Sequence, residues 1–221
     1  MLPKEHSRST LDTGLEPNLG GYRDGHGGLL GELQMSTYKE TINAVMTRLG
    51  YEEGVVFIGY NLCAAGGRAG GSLATVPDEK IFEMPLAENL MVGAAIGLSL
   101  QGYTPVLFFE RADFILCALD SIVNHLAVLS ELSEGVHRPT CIIRVVVGNS
   151  KTPLFTGITH SRDHSDALRE MLCPSASRAG FHVEKLTHKA LIAQQYEAAL
   201  NRAKKRREST ILFEYKDAYS Q

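Results

Sequence analysis

At 221 residues the chain has room for one ordinary α/β domain with a sizeable core, plus an arm. Its 22 basic and 25 acidic residues give a net charge of −3, and hydrophobic content of 44% with charged content of 21% is ordinary for a soluble globular protein. No basic field points to nucleic acid, no apolar run approaches membrane-spanning length, and no secretory apolar segment opens the chain, so a cytoplasmic setting without membrane or nucleic-acid partners is expected.

Residues 1–35 carry Gly20-Gly21 and Gly27-Gly28 and little periodicity. Such a segment buries little surface on its own and reads first as an arm that docks on a partner subunit, pinned by contacts, and otherwise as a disordered segment. The domain proper runs over 36–221. Ser36 reads as the N-cap of a first helix, with Glu40 in its first turn and Ile42, Val45, Met46 and Leu49 as its apolar face. Residues 54–59 read as a buried strand. The loop Gly66-Gly67-Arg68-Ala69-Gly70-Gly71 follows; it lacks the Lys-Ser/Thr ending of a phosphate loop. Residues 80–84 read as a further strand, 87–100 as a Gly/Ala-rich helix, 104–109 as a strand and 112–129 as one helix.

Residues 139–147 contain Cys141-Ile142-Ile143-Arg144-Val145-Val146-Val147, apolar throughout except Arg144. That pattern suits a parallel sheet covered on both faces. Residues 163–172 read as a short helix, 181–186 as a strand, 188–206 as an amphipathic helix and 210–215 as a last strand. Lys204-Lys205-Arg206-Arg207 then reads as the solvated end of that helix, where cations suit the dipole. The four cysteines show no metal-type spacing; Cys117 and Cys141 sit in apolar runs and read as core residues. Alternating helices and strands predict an α/β fold: a doubly wound, mostly parallel sheet with helices on both faces.

One carboxylate stands out. Glu88 lies between Pro85 and the small-residue run, at the carboxyl end of one predicted strand and the start of a helix, where α/β folds place chemistry. Taken alone it also suits a residue that merely caps its helix. Three further stretches accompany it: Val92-Gly93-Ala94-Ala95-Ile96-Gly97, Gly102-Tyr103-Thr104-Pro105-Val106, and Asp113-Phe114 leading to Ala118-Leu119-Asp120-Ser121-Ile122-Val123-Asn124. Downstream comes Gly157-Ile158-Thr159-His160-Ser161. In order and spacing, these stretches with Met84-Pro85-Leu86-Ala87-Glu88 resemble the pyrimidine-binding domain of thiamine-diphosphate enzymes. The form resembled is the beta subunit of the 2-oxo acid dehydrogenases, relatives of transketolase, without its C-terminal domain.

The resemblance implies roles. Glu88 would hydrogen-bond a ring nitrogen of the aminopyrimidine, from a buried setting that raises its pKa by desolvation. Leu86 and Phe114 would join it in holding the cofactor, Phe114 by stacking. His160 would face the reacting centre and bind substrate or move protons, which an imidazole can do near neutral pH. Arg111 departs from the family pattern and suits either an acidic substrate or a pair with Asp113. His164 is the weaker histidine candidate; with His160 it lacks a third ligand, and no metal site is expected in this chain.

The family's Gly-Asp-Gly motif for Mg²⁺ and diphosphate has no convincing copy here; Asp24-Gly25 lies in the arm. The resemblance therefore implies thiamine diphosphate as cofactor, with Mg²⁺ held mainly by an alpha-type partner subunit in a heterotetramer. The implied activity is decarboxylation with acyl or aldehyde transfer from a 2-oxo acid or ketose donor. Transketolase-type ketol transfer and a catalytically silent scaffold subunit are the alternatives.

Overall fold

The computed structural model describes residues 37–63, 69–153, 157–173 and 180–219. The arm at 1–35, Ser36, Asp24-Gly25 and Gly66-Gly67-Arg68 lie outside the described residues. Six strands form one sheet: β1 (Val55–Gly59), β2 (Ile81–Glu83), β3 (Thr104–Phe109), β4 (Ile142–Val147), β5 (Phe181–Leu186) and β6 (Ser209–Tyr215). Their order is β2-β1-β3-β4-β6-β5, and every pairing is parallel. The α/β doubly wound prediction holds.

Two layers cover the sheet. On one face lie α1 (Tyr38–Tyr51) and α5 (Lys189–Asn201), packed on Val55, Phe57, Val106, Phe108, Ile142, Val146 and Leu212. On the other lie α2 (Glu88–Leu100), the segment 112–126 and α4 (Ser165–Leu172), packed on Ile58, Leu107, Phe109, Ile143, Val145, Ile211 and Phe213. Alternate residues of each strand serve opposite layers, which is why β1, β3 and β4 are buried along their whole length. Each such Leu, Ile or Phe contributes about 1.5–3 kcal/mol by leaving water.

Several boundaries differ from those read in the sequence. The N-cap of α1 is Thr37, not Ser36. Glu40 lies three residues after it, and the two close a capping box: the Thr37 amide donates to the Glu40 carboxylate at 2.7 Å and the Glu40 amide to the Thr37 hydroxyl at 3.3 Å. The predicted helix at 112–129 is broken into a 3-10 segment (Ala112–Ala118), a π segment (Ser121–Leu126) and the short α3 (Leu129–Leu132). Asn89 of α2 supplies a physical reason. Its side chain accepts the Ser121 amide at 3.2 Å, while the Ser121 hydroxyl donates to the Asn89 carbonyl at 3.1 Å, so a helical hydrogen bond is diverted to a neighbour. Ile115 and Ala118 face inward and Cys117 is exposed, against its assignment to the core; Cys141 is buried as expected.

The helix expected at 188–206 ends its α part at Asn201, continues as a π turn and closes with Arg207 at φ 57°. Lys205 and Arg206 are exposed. Arg207, expected to be solvated, instead donates to the carbonyls of Arg138 and Ser99, each at 3.1 Å.

The lone arginine of β4 finds its partner in β6. Arg144 and Glu214 lie on the α1/α5 face, two positions apart in the β4–β6 register. Arg144 donates to both Glu214 oxygens, from Nε at 2.5 Å and from a terminal nitrogen at 3.0 Å, and to the Ser72 hydroxyl at 2.6 Å. Its guanidinium lies 4.8 Å from the centre of the Phe108 ring. Tyr196 and Tyr219 donate to the same carboxylate at 2.6 and 3.1 Å. Burial, then the Glu214 charge, pushes both phenols above their ordinary range and keeps them donors.

Removing one member strands the other. Glu214→Ala should lose about 3–5 kcal/mol in urea unfolding, because a buried guanidinium is left unpaired. Joint replacement by Arg144→Met and Glu214→Leu should recover much of that loss. Equal destabilisation by the single and the double change would show that the charge pairing is not the cause.

Candidate functional site

A parallel sheet brings all its carboxyl ends to one edge. Here the strand order reverses at β1, with β2 on one side and β3 on the other, and such a reversal opens a crevice at that edge. The loops leaving β2, β3 and β4 at this edge carry Glu88, Phe114 and His160 respectively.

Glu83, the last residue of β2, had no role assigned from the sequence. Its carboxylate accepts the backbone amides of Asn61, Leu62 and Cys63 at 2.6, 2.7 and 2.6 Å. Three charge-assisted bonds fix the loop that leaves β1 against the end of β2. Its signal in the sequence is only a carboxylate one residue before Met84-Pro85, which says nothing of a loop some twenty positions earlier.

Glu88 opens α2, as expected, with its charge at the positive end of the helix. It is half-buried rather than buried, because Pro85 and Leu86 beside it are themselves exposed, Leu86 at 62%. The burial expected for the carboxyl is thus not supplied by this chain alone. The neighbouring Asn89 ties the first turn of α2 to Ser121, so Glu88 and the segment bearing Phe114 are held side by side.

Phe114 and His160 meet directly. Their rings pack edge to face with centroids 5.1 Å apart. Phe114 is half-buried, and its helix packs on the sheet through Ala112, Ile115 and Ala118. His160 ends a short 3-10 turn (Gly157–His160), and its Nδ1 lies 3.0 Å from the Thr159 hydroxyl. Gly148, just past β4, makes this placement possible: a Cβ there would overlap the His160 carbonyl oxygen. No side-chain pattern around Gly148 signals that close approach.

Asp113 does not pair with Arg111. One of its oxygens lies 3.8 Å from Nε2 of His164 and the other accepts the Arg162 amide at 3.4 Å. Nε2 of His164 is buried and has no hydrogen-bond partner among the described residues. Arg111 turns the other way: it donates to the Glu110 carbonyl at 2.5 Å and lies 3.6 Å from the Glu110 carboxylate. Among the described residues no group of three His, Cys, Asp or Glu side chains gathers to hold a metal.

Exposed apolar side chains stand next to each candidate: Leu86 and Leu90 beside Glu88, Leu116 beside Phe114, Ile158 beside His160. On α2, Gly93 and Gly97 share the outward face with Leu90, and a Cβ on either would meet nothing within 4 Å. Ala95, between them in sequence, points into the core. No single helix among the described residues is long and apolar enough to cross a membrane.

No family model matches the chain. Over 138 residues, 61% of this chain, it is 31% identical to the 3-methyl-2-oxobutanoate dehydrogenase subunit beta of Mycobacterium tuberculosis, covering 38% of that protein. Over 142 residues it is 26% identical to the beta subunit of the pyruvate dehydrogenase E1 component of Bacillus subtilis, covering 42% of it. The chain has homologues among the beta subunits of 2-oxo acid dehydrogenases.

It spans about two fifths of the length of these dehydrogenase relatives. The fold agrees with two solved structures. A split-gene transketolase in an inactive beta4 tetramer superposes with a TM-score of 0.55 at 16% identity, over 80% of this chain and 51% of that one. A protein from Mycobacterium smegmatis assigned as a thiamin diphosphate-dependent enzyme gives 0.55 at 13% identity, over 84% of this chain and 32% of its own. Both matches speak for the fold that this beta-subunit relative adopts.

The position of His160 depends on the missing side chain at 148. Gly148→Ala should therefore move the turn at 157–160 and loosen its contact with Phe114, while the sheet survives. Chemical shifts of the Phe114 and His160 rings should change, and far-ultraviolet circular dichroism should not. Unchanged ring shifts would show that the turn is not seated against Gly148.

Proposed function

We propose that this chain is a beta-type subunit of a two-component thiamine-diphosphate enzyme acting on a 2-oxo acid or ketose donor, with decarboxylation and acyl or aldehyde transfer. Residues 36–221 form its pyrimidine-binding domain, and residues 1–35 an arm toward a partner. The observation that carries the reading is the contact of Phe114 with His160 at the same sheet edge as Glu88, within a chain whose homologues are dehydrogenase beta subunits.

The donor set fits half of such a cofactor. One carboxylate at a helix start, an aromatic ring with an imidazole against it, and exposed leucines suit a flat, weakly polar ring. They do not suit a diphosphate with Mg²⁺, which needs several hard oxygen ligands. That half is assigned to an alpha-type partner, with a heterotetramer as the assembly. The exposed Leu86, Leu90, Leu116 and Ile158 are the surface that such a partner covers.

Thiamine diphosphate, when bound, supplies the nucleophilic carbon and the electron sink. The residues of this chain do the rest. Glu88 holds a proton at a pyrimidine nitrogen; burial by the partner would raise its affinity for that proton. Leu86 and Phe114 hold the ring in place and exclude water. His160, braced by Phe114 and Thr159, reaches the donor and moves a proton there.

Glu88→Gln keeps size and loses the shareable proton. In the complex reconstituted with its alpha-type partner, turnover of 2-oxo acid and ketose donors should fall at least about a hundredfold, with folding intact. Undiminished turnover would remove Glu88 from the mechanism. No turnover of any donor by the wild-type complex would favour the scaffold alternative.

A further inference from the structure

A cavity of about 340 Å³ opens at the carboxyl edge on the face covered by α1, and none of Glu88, Phe114 and His160 lines it. Its floor is Phe108, Arg144 and Val146. Lys39, Arg111 and Lys216 reach it from α1, the end of β3 and the end of β6. Arg144 is already neutralised by Glu214, so these three cations face Glu110 as the remaining carboxylate among the described lining residues. An excess of two positive charges is left around an empty volume.

The polar groups there are incompletely matched. Arg111 is only 6% exposed, and its Nε is buried with no hydrogen-bond partner among the described residues. A buried guanidinium nitrogen without an acceptor costs about 1–3 kcal/mol or more. Asn43 places an amide oxygen in the same condition; turning that amide presents its NH₂ instead, as an anion requires. The Lys216 ammonium is disfavoured by burial, then by Arg111, with a smaller push from Lys39, so its proton is held less firmly than in water. Each of these defects is repaired by one negative ligand.

We propose that this cavity binds a small dianion, a phosphate group carried by a metabolite or free in solution. A phosphate has close to two negative charges near neutral pH, which matches the excess, and a planar guanidinium with flanking ammonium groups suits its oxygens. The site stands apart from the thiamine-diphosphate reading: it lies on the opposite face of the sheet from α2, and its test needs neither cofactor nor partner chain.

The test is calorimetric titration of the full chain with inorganic phosphate at low ionic strength. Saturable binding at one site is expected. Lys216→Gln should weaken it at least about tenfold, as for the loss of a charged hydrogen bond. Lys39→Gln, at an exposed position of α1 that does not endanger folding, should weaken it in the same direction. Lys205→Gln removes the same charge from an exposed residue elsewhere and should leave binding unchanged. Absence of saturable binding would overturn the proposal. So would equal weakening by Lys205→Gln, which would mean diffuse attraction, or malonate binding as tightly as phosphate, which would make the site one for carboxylates. Displacement of phosphate by a sugar phosphate would point to a metabolite; retention would point to the free ion, and either result supports a phosphate site.

Discussion

All six strands run the same way, and this constraint governs the rest of the molecule. A parallel ladder needs a crossover between neighbours, so helices cover both faces and the inner strands β1, β3 and β4 are buried on both sides. It also sends every loop that follows a strand to one edge. Glu83 and Glu88, Arg111 and Phe114, Gly148 and His160, and Lys216 lie at or just after the ends of four different strands, and they share that edge because those strands are parallel. The edge is held in register by the buried bidentate pair of Arg144 and Glu214, which ties the neighbouring strands β4 and β6 to α5 through Tyr196, and to the loop after β1 through Ser72.

The two faces differ in character at that edge. On the α2 face the side chains are apolar and outward: leucines, glycines and an aromatic–imidazole contact. Such a surface has little to gain from water and much from a protein neighbour. On the α1 face the cavity is ringed by cations held apart by the sheet. One edge therefore presents a surface suited to a partner and, across the sheet, a pocket suited to a small anion.

A continuous apolar run made β3 readable to the residue, because both faces of a buried parallel strand demand the same chemistry; β5 was readable from the alternation of Phe181 and Val183 with polar neighbours. The start of α2 was readable from the Pro and small residues around Glu88. The break at 112–126 was not, since its cause is Asn89, a polar residue with no local periodicity to betray a hydrogen bond to Ser121. Cys117 was misplaced because an apolar run does not by itself show which of its residues face outward. Arg144 was visible as an anomaly in an apolar strand, yet its partner Glu214 was visible only as a similar anomaly seventy positions on; two lone charges in buried strands are a signal for pairing. The seat of His160 on Gly148 and the clamp of Glu83 on Asn61 to Cys63 are contacts between backbone and distant loops, and no pattern of side chains encodes them. Half-burial of Glu88 follows from the exposure of Pro85 and Leu86, which an apolar stretch of sequence does not reveal.

The central claim is that Glu88, Phe114 and His160 form one half of a site that a second chain completes. Calorimetry of thiamine diphosphate with the isolated chain and with the chain bound to an alpha-type partner, each with and without Mg²⁺, addresses it most directly. Weak binding by the chain alone, and tight, Mg²⁺-dependent binding by the complex, is the predicted result. Tight binding by the isolated chain, or none by the complex, would contradict the claim.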